Sequence, residues 1–159
     1  LNQTLEAEKV LQARGIPLAS NQLEYHLLER RIEKNGLMQH CKEAGIKIIA
    51  YSPLAMGILS GKYGPENPPS GVRGVQYNKE FLTRIQPLIR AIKKIGLNHD
   101  GKTAAQVAIN WVICKGALPI PGAKNAGQIE QNVGSTGWKL TEEEVALLDE
   151  LSDYVTKKD

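Results

Sequence analysis

At 159 residues the chain is long enough for one domain with a sizeable core, and 42% hydrophobic with 23% charged residues is ordinary for a globular fold. A formal net charge of +3 is spread over scattered lysines and arginines, paired only at Arg30-Arg31, Lys93-Lys94 and Lys157-Lys158, with no interleaved aromatics, which argues for a solvated surface and against nucleic-acid binding. Cys41 and Cys114 are too few for a disulfide scaffold and fit no metal or redox spacing, and no apolar run approaches the roughly 18 residues of a membrane span.

The two cysteines are expected to pack as small hydrophobes in a reducing compartment. The sequence opens on Leu1 rather than a methionine, as a processed or incomplete chain would. No signal-peptide or basic transit pattern stands at its start. Residues 3–14 carry Leu5, Val10 and Leu11 on one side and stop at Gly15, which predicts an amphipathic helix. Residues 16–19 lead into a short strand ending near Gln22 and Leu23. A second helix is predicted over 37–44, closed by Gly45, and residues 46–51 (Ile-Lys-Ile-Ile-Ala-Tyr) have the pattern of a buried strand. Helix, glycine, apolar strand is the beat of an α/β unit.

Residues 52–77 form a Gly- and Pro-rich stretch too long for a simple connector, and loops of that length are usually functional or disordered. Residues 79–95 place Phe81, Leu82, Ile85, Leu88, Ile89 and Ile92 at helical spacing, with Pro87 expected to break or kink the run. Thr103 and Gln106 form a capping box for a helix ending at Cys114. Residues 117–121 predict a third strand, Asn125 the N-cap of a helix to Val133, and Thr141 with Glu144 the capping box of a final helix. Three strands with helices between them imply parallel pairing through right-handed crossovers. A small open sheet and part of an eight-stranded barrel of about 250 residues both satisfy that order.

In parallel α/β folds the sites lie just after the strands. There the chain carries Ser20-Asn21-Gln22, Tyr51-Ser52-Pro53-Leu54-Ala55-Met56-Gly57 and Pro121-Gly122-Ala123-Lys124-Asn125. A carboxamide such as Gln22 can pair with a polar ring substituent, and Tyr51 can stack on a ring. Small residues near Gly57 let backbone amides approach a pyrophosphate. Gly122 permits a tight turn, Lys124 offers a charge, and Asn125 opens a helix whose free amides favour an anion. A cap and a solvated lysine would explain Asn125 and Lys124 equally well.

These segments, extended as Pro17-Leu18-Ala19-Ser20-Asn21-Gln22-Leu23-Glu24-Tyr25, as Ala50 through Gly57 into Ile58-Leu59-Ser60-Gly61-Lys62-Tyr63, and as Pro119-Ile120-Pro121-Gly122-Ala123-Lys124-Asn125, resemble the aldo-keto reductases in order and spacing. The likeness covers essentially all of residues 1–159, as one partial domain. The run from Gly61 to Gly71 further resembles plant members assigned to plastids, so a chloroplast location is implied, with cytoplasm as the default otherwise. The resemblance implies the C-terminal half of a (β/α)8 barrel that reduces aldehydes or ketones with NADPH and needs no metal. It implies that Gln22 contacts the nicotinamide carboxamide and Tyr51 stacks on the nicotinamide. Ser52, Leu54 and the backbone near Gly57 would line the pyrophosphate. Lys124 would face the adenosine 2′-phosphate, with Gln128, Gln131 and Asn132 near the adenine. Many relatives carry Arg where this chain has Gln128, which shifts the NADP preference onto Lys124.

The family's catalytic Asp, Tyr, Lys and His are not matched here, nor is the Ser-Asn pair of its fifth strand, so no catalytic residue is assigned. A truncated, non-catalytic nucleotide-binding or interaction module is the alternative. A barrel opened at one strand exposes sheet edges, so weak stability or self-association is expected. The partner implied is a small carbonyl compound, with vitamin-like, sugar and lipid aldehydes all open. His26, His40 and His99 lack ligand spacing, no Gly-x-Ser-x-Gly occurs, and Glu142, Glu143 and Glu144 suit a helix start. Trp111 and Trp138 are expected in packing, and Arg73 as a solvated loop residue.

Overall fold

The computed structural model describes residues 1–157. Of the Lys157-Lys158 pair, Lys158 lies outside the described residues. Three strands, β1 (Ser20–Glu24), β2 (Lys47–Tyr51) and β3 (Leu118–Ile120), form one parallel sheet in the order β1-β2-β3. Helices α1 (Asn2–Gln12), α2 (Arg31–Lys34), α3 (Leu37–Glu43) and α4 (Val72–Gln76) are followed by α5 (Lys79–Arg84) and α6 (Gln86–Asn98). Then come α7 (Ala104–Cys114), α8 (Ala126–Val133) and α9 (Glu142–Thr156). None of these helices is long and apolar enough to cross a membrane.

Register decides which side of the sheet each residue serves. Gln22 pairs with Ile49 and Ile49 with Leu118, while Glu24 pairs with Tyr51 and Tyr51 with Ile120. Paired residues of parallel strands share a face, so these six lie together on one side. Ile48 and Ala50 point the other way and are buried, whereas Leu118 and Ile120 remain 50% and 43% exposed. One face carries the core and the other is open.

The core on the covered face centres on α7, in which Val107, Ala108, Ile109, Asn110, Trp111 and Val112 are all buried. Such burial on nearly every side places the helix between layers, with β3 and the segment 55–60 among its neighbours and α6 on another flank. From α6, Leu88, Ile89, Ile92 and Ile95 pack inward at helical spacing. Buried Asn110 is fully partnered: its amide donates to the Ser135 and Trp138 carbonyls, and its oxygen accepts from Leu140 N–H at 3.1 Å. That side chain therefore ties 134–140 to α7.

Both capping boxes form as the sequence predicts, at Thr103 with Gln106 and at Thr141 with Glu144. Asn125 also caps α8. Elsewhere the structure corrects the reading. The strand expected to end near Gln22 continues to Glu24, so Gln22 sits mid-strand. The break expected from Pro87 in the run over 79–95 does form: two helices meet at Ile85, with Pro87 in the first turn of the second, where its missing N–H costs nothing. The stretch 52–77 contains α4 and a kinked segment, Ala55–Ser60, whose backbone leaves helical geometry at Met56 and Gly57.

Candidate functional site

All three strands run in the same direction, so the segments after Glu24, Tyr51 and Ile120 emerge at one rim. Tyr51 ends β2 on the open face, 38% exposed, with Glu24 and Ile120 as lateral neighbours. Gln22, exposed on the same face, lies on the adjacent strand two residues below that level. At about 3.3 Å per residue this is a drop of roughly 7 Å, the span of a small ring and its substituent.

Immediately after Tyr51 the backbone turns left-handed at Ser52 (φ 53°), Ala55 (φ 48°), Met56 (φ 54°) and Gly57 (φ 92°). Three of these four are not glycine, and each costs of order 1–2 kcal/mol relative to ordinary backbone. The turn is held by its own bonds: Ala55 N–H donates to the Ser52 carbonyl and Gly57 N–H to the Leu54 carbonyl. Half-buried Leu54 packs against the core beneath. Sequence reasoning found Gly57 but had no signal for the strain at Ala55 and Met56, whose side chains have no preference for that conformation.

At the third strand the structure revises the expected phosphate site. Gly122 does not have a positive φ, so no turn there requires glycine. Gln128 N–H donates to the Asn125 side chain at 3.0 Å, and Lys124 N–H donates to the Gln128 side chain at 2.7 Å. Gln128 N–H in the first turn of α8 and Lys124 N–H just before it are thus satisfied by the chain itself, which leaves the Ala126 and Gly127 amides and the exposed Lys124 ammonium to attract an anion. Gln131 is exposed, and its carbonyl accepts from Gln106. Asn132 lies two turns down α8, lining a groove beside β3 with Ile109, Val133 and Thr136. The structure therefore gathers Gln22, Tyr51, Ser52, Leu54 and Gly57 around neighbouring strand ends, puts Lys124 and Gln128 at the start of α8, and turns Asn132 toward the groove.

Two features of the rim were not legible. The buried His26 ring accepts Leu28 N–H at Nδ1 (3.1 Å) and faces Glu24 through Nε2 at 3.4 Å. Burial lowers its pKa below the ordinary histidine value, against the opposing pull of Glu24. The second is an ionic cluster behind the rim. Arg30, expected at the solvated surface, is 9% exposed and grips both carboxylate oxygens of Glu33. Lys115 Nζ lies 2.7 Å from Asp149, and Trp111 Nε1–H donates to the same carboxylate. Burial raises the Glu33 pKa, but the bonds from Arg30 and Tyr25 outweigh it and the net shift is downward. The Tyr25 hydroxyl, which donates to Glu33, has its pKa raised, first by burial and then by that bond. The cluster fixes the segment after β1 against α7 and α9.

The remaining candidates are engaged elsewhere. His40 pairs with Glu8, and His99 lies 2.7 Å from Glu144 and against Trp138. Arg73 is exposed and reaches the Tyr63 hydroxyl at 3.5 Å.

A parallel sheet with helices on one face and an open opposite face is the arrangement of an α/β fold, either a small open sheet or part of a barrel. Residues 2–153 match the aldo/keto reductase family, and the chain belongs to it. It is 42% identical over 142 residues to the chloroplastic pyridoxal reductase of Arabidopsis thaliana, covering 89% of this chain and 38% of that protein. It is 32% identical over 145 residues to an NADP(+) aldo-keto reductase of Schizosaccharomyces pombe, covering 86% and 42% respectively. The glycerol dehydrogenase of Gluconobacter oxydans shares the fold with a TM-score of 0.81 at 24% identity, over 92% of this chain and 46% of the other. The chain spans less than half the length of these three proteins.

The rim thus carries an exposed flat ring, a carboxamide on the adjacent strand, a left-handed turn after the ring and an exposed lysine before α8.

Proposed function

We propose that this chain forms the cofactor-gripping part of an NADPH-dependent aldehyde or ketone reductase. The observation that carries the reading is the position of Tyr51, exposed on the open sheet face directly before the strained turn Ser52–Gly57. Strain held at a strand end is a common mark of a binding site. Gln22 offers both a donor and an acceptor to a carboxamide, and the Tyr51 ring gives a planar substituent a flat wall. Ser52, Leu54 and Gly57 bring small groups and backbone to the level where a pyrophosphate would run. Lys124 supplies charge to a ribose phosphate, with Gln128 and Gln131 beside it and Asn132 further along α8. When bound, the reduced nicotinamide supplies a hydride to the carbonyl carbon.

No residue of this chain is assigned the place of the family's Asp, Tyr, Lys and His, so the 159 residues alone are expected to show no turnover, and whether they hold NADPH is the point to test. Tyr51 is not the proton donor, because its ring face is its contribution. The name of the Arabidopsis relative favours a pyridine aldehyde as the first carbonyl to assay, and a chloroplast location. Fluorescence titration of the chain with NADPH and NADH tests the reading. Tighter binding of NADPH is expected, and Lys124→Gln should narrow the preference by about tenfold, as loss of one charge-assisted contact would. An unchanged preference would remove Lys124 from the site, and robust carbonyl reduction by these 159 residues would refute the division of labour.

A further inference from the structure

The outer wall of the fold carries a second concave surface, lined by none of the residues assigned to the cofactor. The end of α5, the start of α6 and the end of α9 enclose an open cavity of about 630 Å³, a size typical of small-molecule sites. Arg84, Arg90 and Lys157 line it, and no aspartate or glutamate among the described residues does. Of the other cations, Arg30, Arg31, Lys34, Lys79 and Lys115 each face a carboxylate. None of the cavity's three does so among the described residues. Asp153, next to the lining, is already held by Lys34 and Arg30.

The cavity also has an orienting floor and an apolar wall. Gln86 and Pro87 bring the first turn of the 13-residue α6 to its edge, and that turn contains no acidic residue and no side-chain cap. The Arg84 guanidinium lies over the Phe81 ring, 5.4 Å from its centroid, which restrains its direction. Tyr154, 65% exposed, and Pro87 add an aromatic and an aliphatic ring to the lining. We propose that this cavity binds a small phosphate-bearing ligand with a planar ring, its phosphate among Arg84, Arg90 and Lys157 and its ring on Tyr154.

The test is amide-resolved NMR titration of the 159-residue chain at low salt, first with inorganic phosphate and then with adenosine 5′-monophosphate. Shifts centred on Gln86, Leu88, Arg90, Tyr154 and Lys157 are expected, with the nucleotide binding more tightly than phosphate. The exposed pair Arg84→Gln with Arg90→Gln should weaken both ligands by about tenfold or more, and Tyr154→Ala should erase only the advantage of the nucleotide. Should the double variant lose its native circular dichroism, Arg84→Lys with Arg90→Lys replaces it, and partial retention of binding is the expected result. Lys124→Gln should leave these shifts intact. Shifts that vanish with Lys124→Gln but survive Arg84→Gln with Arg90→Gln would put the anion at the cofactor rim and overturn the proposal. No shift at about 10 mM ligand would overturn it as well.

Discussion

Gly57 shows how a single residue can separate space from conformation. A Cβ built there would meet only Tyr63 Cε2 at 3.9 Å, an ordinary contact, yet its φ is +92°. Gly57→Ala therefore has room for its methyl and lacks only a comfortable backbone. The expected loss is about 1–2 kcal/mol in urea unfolding, the cost of a non-glycine residue in the left-handed region. Because the same turn is assigned to the pyrophosphate, NADPH affinity should fall in parallel. A variant as stable as its parent would mean that the turn is not built as described. Ser52, Ala55 and Met56 carry similar strain without a glycine, so nothing in their identities announces it. Lys124 was legible as a charge and Asn125 as a cap, but the bond from Lys124 N–H to the Gln128 side chain was not, because it depends on Gln128 folding back onto the segment before the helix.

Between elements, Gly96 sets how closely the end of α6 meets the turn before α7. A Cβ at that position would stand 2.0 Å from the backbone carbonyl oxygen of Lys102, a group that cannot swing aside as a flexible side chain could. Gly96→Ala must push 99–103 away from α6, and a loss of about 2 kcal/mol or more in unfolding free energy is expected. Chemical denaturation measures it directly, and a change under about 0.5 kcal/mol, usual for surface substitutions, would contradict the packing. Helices with strong local signals were readable for local reasons. Capping at Thr103, Asn125 and Thr141 and the punctuation at Pro87 act within four residues of their effect. The short helix α2 escaped because it is held from outside. Arg30, at the start of α2, is fixed by Asp149, 119 residues away, and no periodicity of four or five residues can reveal such a partner.

For the molecule as a whole, the parallel order of the strands was legible from the alternation of helix and apolar strand. A small open sheet and part of a barrel fit that alternation equally, and the match to the aldo/keto reductases supplies the choice. What alternation could not show is how much apolar surface the open side presents. Leu118 and Ile120 are exposed on the sheet face, Leu5, Val10 and Ile16 on and just after α1, and Ile129 and Val133 on α8. Strands β1 and β3 each pair on one side only. Exposed apolar residues beside unpaired strand edges are the two ingredients of self-association. Sedimentation velocity across about a hundredfold range of concentration should therefore show mass increasing with concentration. Leu118→Lys with Ile120→Lys puts two charges on the open face and the β3 edge, so the double variant should shift the population toward monomer while leaving the buried core around Trp111 and its fluorescence unchanged. A parent that stays monomeric throughout, with the double variant behaving identically, would show that the open face is compatible with water, and the expected self-association would have to be abandoned.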